Sequence, residues 1–145
     1  MKNQTREQQI DKLIATIDQM GKKQTIELQR VVTLQNATPQ LKCALATASE
    51  LFTEAQEKLA RLNTSNNMYH TDTSSINFSE IVAEILNGAI CDAEKAVTIA
   101  QANHEIAFRR VNRNEAQVAT ASAQSDVCFD DARIASAQLD ILYTV

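Results

Sequence analysis

The stretch that decides the fold is residues 31–62, which read VVTLQNATPQLKCALATASELFTEAQEKLARL. A repeat that averages 3.5 residues, kept over several heptads, is typical of a left-handed coiled-coil seam. The stretch therefore predicts one long helix with a single apolar seam. The apolar side chains follow alternating steps of three and four residues, broken once by Thr38, at Val31, Leu34, Leu41, Leu45, Ala48, Phe52, Ala55, Leu59 and Leu62.

The same register extends towards the amino terminus, where two polar residues, Gln24 and Glu27, interrupt it. At these positions we expect either a looser seam or a seam that shifts to Ile26 and Leu28. The apolar positions that continue the register upstream are Ile10, Leu13, Ile17 and Met20.

One clear loop is predicted, at residues 63–76, which read NTSNNMYHTDTSSI. Side chains of Asn, Ser and Thr bond to the nearby backbone and compete with helix. We therefore expect a single helical domain over residues 1–145, with a first arm at about 4–62 and a second arm at about 77–142.

Local capping signals support the predicted starts of the two arms. Thr5, followed three residues later by Gln8, has the spacing of a capping box. Asn77, with Glu80 three residues on, has the same spacing at the start of the second arm.

The second arm has a seam of smaller residues, which let helix backbones approach closely but bury less apolar area. An extra four-residue step between Ala107 and Val111 predicts a stutter, which locally unwinds a left-handed supercoil. Two amides fall on this seam, Asn103 and Asn114, and either fix the register or stay hydrated. The predicted positions are Val82, Leu86, Ala89, Ala93, Ala96, Ala100, Asn103, Ala107, Val111, Asn114, Val118, Ala121, Ser125, Cys128, Ala132, Ala135, Leu139 and Leu142.

The only proline, Pro39, leaves two architectures open. In the first, a long antiparallel hairpin bends near Pro39 and carries the heptad through it. In the second, Thr38 caps a new helix with Pro39 at its first position, and the chain folds over at mid-height into a four-helix bundle. The unbroken register from Leu34 to Leu41 favours the hairpin. The predicted fold class is all-α in both.

No pattern of a catalytic, cofactor or metal site is found in the sequence. Neither His70 nor His104 completes a Glu-x-x-His pair, and there is no Gly-rich phosphate loop and no haem-attachment motif. His104, beside Glu105, is interpreted as a surface residue of a helix. We therefore expect no enzymatic activity, no cofactor and no metal.

The densest basic segment contains Arg109, Arg110 and Arg113. It could contact an anion or an acidic partner. The preferred interpretation is salt bridging, because Glu105 lies four residues before Arg109.

The three cysteines, Cys43, Cys91 and Cys128, are widely spaced and form no CxxC pair. They are interpreted as free thiols of a reducing compartment. The alternative is an intermolecular disulfide or a redox switch.

Charge and hydropathy limit the classes of partner that the chain can have. The net charge of -4 argues against a general nucleic-acid binder. Residues 1–62 carry a net +2 and residues 63–145 a net -6, so the arms should attract each other or a neighbouring copy, and salt should weaken this. The polar start and the lack of an apolar run of about 18 residues predict a cytoplasmic protein with no membrane span.

These patterns favour a self-assembling structural protein whose partner is itself. Apolar residues off the seam of the second arm need cover, from the same chain or from other subunits: Ile85, Ile90, Val97, Ile99, Ile106, Phe108, Phe129, Ile134 and Ile141. The alternative is a helical module that binds another protein, as an adaptor, an export chaperone or a small inhibitor of a larger machine. The predicted assembly seam consists of Leu13, Ile17, Val31, Leu34, Leu41, Leu45, Phe52, Leu59, Leu86, Ala93, Ala100, Val118 and Leu139.

Overall fold

The computed structural model describes residues 4–71 and 76–144, and the side chains of 68–79 are outside that description. Two helices account for nearly all of it: α1, Arg6–Thr71, and α2, Ile76–Thr144. Arg6, near the start of α1, is hydrogen-bonded to Leu142, near the end of α2. Leu34, further along α1, is hydrogen-bonded to Asn114, which comes earlier in α2. The helices therefore run antiparallel, and the predicted all-α hairpin is confirmed.

The helices extend further towards the connection than predicted. Helix α1 continues to Thr71, and α2 begins at Ile76, so most of the predicted loop at 63–76 is helical. The half-buried Asn66 continues the heptad after Leu62, although its Oδ1 is buried without a hydrogen-bond partner. The intrinsic preference of Asn, Ser and Thr against helix is weak and does not end α1 at Leu62. The predicted cap at Asn77 concerns a side chain outside the described residues.

Hydrogen bonds of backbone and side-chain groups stabilise the start of α1. The amide of Thr5 donates to Oε1 of Gln8 at 3.1 Å, and the amide of Gln8 donates to Oγ1 of Thr5 at 3.3 Å, so the predicted capping box is confirmed. The Arg6 guanidinium donates through Nε, at 3.0 Å, and through Nη2 to the carbonyl of Leu142. That carbonyl lies in the last turn of α2, where no intrahelical donor is left.

Helix α1 keeps the predicted seam from Ile10 to Leu62. Burial recurs at alternating steps of three and four residues from Ile10 to Asn66, and Gln24 and Glu27 stay half-buried on it. Ile26 and Leu28 are 61% and 48% exposed, so the alternative shift of the seam to them is wrong. Each residue turns a helix by about 100°, so such a shift would move the neighbouring seam positions away from α2.

The stutter predicted between Ala107 and Val111 is absent from α2. Val97 and His104 take the seam positions that were predicted for Ala96 and Asn103, both of which are exposed. Burial then alternates in threes and fours without interruption, through Ala93, Val97, Ala100, His104, Ala107 and Val111. The physical reason is that the larger side chains of Val97 and His104 remove more surface from water than Ala96 and Asn103 would.

Helix α1 also runs without a break through Pro39. Thr38 lies inside the helix and does not cap a new one, so over the described residues the chain forms two helices and not four. Pro39 removes one backbone hydrogen-bond donor from the helix. The turn that contains Pro39 stays packed on α2, because the seam residues before and after it, Leu34, Thr38 and Leu41, are half-buried.

The chain divides into two compact units. Unit 1 consists of Met1–Pro39 and Arg113–Val145, and unit 2 consists of Gln40–Asn112. Each unit pairs a segment of α1 with a segment of α2. The single helical domain expected over residues 1–145 stays a prediction.

Candidate functional site

The predicted seam residues lie where the two helices of the chain meet. In unit 1 these are Leu13, Ile17, Val31, Leu34, Val118 and Leu139, and in unit 2 they are Leu41, Leu45, Phe52, Leu59, Leu86, Ala93 and Ala100. Only Val31 and Ala93 are buried, and the others are half-buried. Because the chain's own helices occupy this seam, contact with another molecule must use other sides of the helices.

A buried amide joins the two helices of unit 1. Asn114 is only 5% exposed, and its Nδ2 donates to the carbonyl of Leu34 at 3.0 Å. The hydroxyl of Thr38 donates to Oδ1 of Asn114 at 2.8 Å and lies 3.2 Å from the same carbonyl. A carbonyl cannot donate, so this network determines which way the amide points. Asn114 therefore fixes the register, whereas Asn103, the other predicted amide, is exposed.

The polar interruption of the seam leaves one polar atom without a partner. Oε2 of Glu27 is buried and makes no hydrogen bond within the protein. A buried acceptor that has lost water without gaining a donor destabilises the fold by about 1–3 kcal/mol. Glu27 is thus a weak point of unit 1.

Replacing Glu27 by methionine is expected to raise the free energy of unfolding by about 1 kcal/mol, since a side chain of similar length no longer buries an unpaired oxygen. Urea denaturation followed by circular dichroism measures this change. The exposed Glu50→Met variant is the control and should leave the midpoint nearly unchanged. A lower midpoint for Glu27→Met would show that the carboxylate stabilises the fold.

In unit 2 an aromatic pair replaces the aliphatic contacts of the seam. The rings of Phe52 and His104 stack with centroids 5.8 Å apart and planes inclined by 24°. His104 is half-buried, so its interpretation as an ordinary surface residue is wrong. A ring at this position fills the seam, and the contact positions α2 against α1.

The predicted basic contact residues are exposed side chains. Nη2 of Arg109 lies 4.0 Å from Oε2 of Glu105, which confirms the predicted salt bridge. Both side chains are mostly exposed, so this pair adds little stability. Arg110 in unit 2 and Arg113 in unit 1 are also exposed.

The three cysteines are free thiols. Cys43 and Cys91, in unit 2, are exposed, and Cys128, in unit 1, is half-buried. Cys43 lines an apolar groove, described below, whereas Cys128 takes its predicted place on the seam of α2.

Unit 1 has an uncovered apolar surface on one side, which we call its front face. Ile26, Val127, Ile134 and Ile141 are all exposed. Ile26 and Val127 line one groove between the helices, and Ile141 lines another. Along α2, Val127, Ile134 and Ile141 repeat at intervals of seven residues, so they form a straight stripe beside the seam.

A second apolar surface of unit 1, its back face, lies on the other side. Residues two apart on a helix point about 200° from each other. Leu28 therefore faces away from Ile26, Phe129 from Val127, and Tyr143 from Ile141, with a seam residue between the members of each pair. The exposed apolar side chains of the back face are Ile14, Leu28, Val32, Phe129 and Tyr143.

Unit 2 contains an open groove of about 860 Å³ between its two helix segments. Small residues such as Ala44 and Ala96 form much of its wall, and Leu51 and Ile99 project at it while remaining more than half exposed. Such a groove has the shape and polarity to receive an apolar helix face.

The back face of unit 1 was not predicted from the sequence. Uncovered apolar residues were expected only on the second arm, without a division between its two sides. The signal was present in the sequence as three short triplets in which a seam residue is flanked by two apolar residues: Ile26-Glu27-Leu28, Val127-Cys128-Phe129 and Ile141-Leu142-Tyr143.

Comparisons of this chain with family models, with curated proteins and with solved structures found no match. Among the described residues, no three His, Cys, Asp or Glu side chains gather as a metal-binding group. Neither helix, over its described residues, has a stretch long and apolar enough to cross a lipid bilayer.

Proposed function

We propose that this chain is a non-enzymatic structural subunit that assembles with copies of itself through helix packing, in the cytoplasm. The three free thiols support a reducing compartment. The observation that carries the proposal is the amount of large apolar surface that the hairpin leaves uncovered.

That surface is large relative to the core. Among the described residues, fifteen large hydrophobic side chains are exposed and no large side chain is fully buried. Exposed apolar surface of this extent is typical of sites where proteins meet other proteins. On α2 much of it recurs at one heptad position, which suits packing against another long helix.

Energetics point the same way. Two helices of 66 and 69 residues order many backbone torsions, each at a cost of about 1–2 kcal/mol. A single seam built largely of half-buried residues offsets this cost less fully than a closed core would. Contacts between copies would bury the exposed isoleucines and phenylalanines and add to the stability of each hairpin.

Light scattering of the purified chain over a range of concentrations tests the proposal. We expect the measured mass to rise with concentration to many times the single-chain mass of 16.0 kDa. We also expect the mass to be unchanged by reductant, because the proposed contacts are non-covalent. A fixed mass of one or two chains at all concentrations would contradict self-assembly.

The groove of unit 2 supports a second candidate, a module that binds a helix of another protein. In that case the chain would stay monomeric in the light-scattering experiment. A peptide with isoleucine or leucine at heptad spacing would then bind, and the Ile99→Glu variant, altered at the groove, would lose that binding.

A further inference from the structure

The front face of unit 1 has a basic border. Lys23 and Lys12 line the same grooves as Val127 and Ile141. Arg30 follows Ile26 by one helical turn, and Arg113 precedes Val127 by two heptads, so both lie on the same side. The acidic residues within one turn of Val127 are Asp130 and Asp131, and Asp130 lies 3.8 Å from Arg133 on its own helix. Among the described residues, four basic and two acidic side chains therefore surround the front apolar stripe, and its border is basic on balance.

The back face has the opposite border. Its exposed acidic residues lie three, four, seven or fourteen positions from Ile14, Phe129 or Tyr143, which places them on the same side of their helices. They are Glu7, Asp11, Asp18, Glu115, Asp126 and Asp140, and the basic residue among them is Arg133. Asp18 also pairs with Lys22 on its own helix at 2.8 Å. The back face is acidic through Glu7, Asp11, Asp126 and Asp140, without counting Asp18, which pairs with Lys22, or Glu115, which makes an interaction of its own.

We propose that the front face of unit 1 of one chain docks on the back face of unit 1 of a second copy, so that chains add front to back. This inference rests on the proposed self-assembly and specifies the surfaces it uses. In this arrangement the apolar stripes cover each other while the basic border of one copy meets the acidic border of the next.

The alternative symmetric pairings are unfavourable for the same reason. Front against front would bring two basic borders together, and back against back would bring two acidic borders together. Like charges placed across an interface repel each other and act against such pairings. Charge complementarity therefore selects the unlike pair of faces.

Front-to-back docking has a consequence for the size of the assembly. Contact between two different surfaces leaves one free front and one free back at the ends of every complex. Each added copy again exposes the surface that the next one needs. The assembly therefore grows by single copies, and the contact itself sets no upper limit unless the series closes into a ring.

Two variants that each block one face test the inference. Ile134→Glu introduces an acid on the front face, which an acidic back face repels, and Phe129→Lys introduces a base on the back face, which a basic front face repels. Both side chains are more than half exposed, so folding should be unaffected, and circular dichroism checks this. Ala137→Glu, at an exposed position on the outer edge of α2, is the matched control and should assemble like the native chain.

We expect each blocked variant alone to have the mass of a single chain by light scattering. An equimolar mixture should form a complex of two chains and stop there, because only one intact front and one intact back remain to meet. High salt should weaken this complex, since its charged borders are screened.

Other outcomes would overturn the inference. A dimer of either variant alone would show that like faces pair, and a mixture that stays monomeric would show that these two faces do not meet. Variants that still form the native assembly would show that other surfaces build it, which would leave the proposed function standing. A native chain that is itself monomeric at every concentration would instead remove the proposed function, and the inference with it.

Discussion

The Asn114→Asp variant is expected to unfold with a free energy about 3 kcal/mol lower than that of the native chain at neutral pH. The change replaces one atom that donates with one that only accepts. At position 114 the new oxygen would lie near 3.0 Å from the carbonyl of Leu34, where Nδ2 now donates. Two acceptors would then face each other in a site that is only 5% exposed.

The loss of unfolding free energy in Asn114→Asp should depend on pH. Burial disfavours the ionised carboxylate, so its pKa is raised in the folded variant above the unfolded value of about 3.9. The destabilisation is therefore present at neutral pH and is lost as the pH falls towards about 4, where the protonated acid can donate to Leu34.

Urea denaturation at neutral pH and near pH 4 measures both effects. The matched control is Asn36→Asp, the same chemical change at an exposed position of α1, which should cost little at either pH. If Asn114→Asp were as stable as the control at neutral pH, the network with Leu34 and Thr38 would not fix the register of unit 1.

The Ala121→Leu variant is expected to lose about 2–3 kcal/mol of unfolding free energy. Ala121 is 1% exposed, and Ser125, one turn later on the same seam, is 3% exposed. Small side chains at these positions leave little space between the helices, so a leucine must push α1 and α2 apart or adopt a strained rotamer. A gain of apolar area cannot compensate, since the site has no room for it.

Thermal unfolding followed by circular dichroism compares the midpoint of Ala121→Leu with that of the native chain. Ala116→Leu, at an exposed position on the outer edge of α2, adds the same atoms where space is open and should change the midpoint little. An Ala121→Leu chain as stable as this control would mean that close approach of the helices is not what buries Ala121.

The candidate site was only partly predictable from the sequence. The exposed stripe of α2 that includes Ile99, Ile134 and Ile141 was expected, because isoleucines off a seam need cover. The separation of unit 1 into a front and a back face was not predicted. With Cys128 on the seam, Val127 and Phe129 lie on opposite sides of α2. Only the packed pair of helices shows which side of α1 lies beside each of them, as Ile26 lies beside Val127 in one groove.

What the sequence determined by itself is the all-α class, the hairpin and the register of α1. A period of 3.5 residues kept over so many turns fits only one stripe of α1. The polar Gln24 and Glu27 lie on that stripe because the apolar seam residues before and after them hold the helix in this register. The sequence also placed the α2 seam correctly from Ala107 to Leu142. Tertiary structure alone decided the register of α2 between Ala93 and Ala107 and the length of both helices near the connection. Helix α2 has apolar residues on several sides, so its periodicity fits either Ala96 or Val97 on the seam. Packing against α1 selects the larger Val97, because burying the larger side chain removes more apolar surface from water.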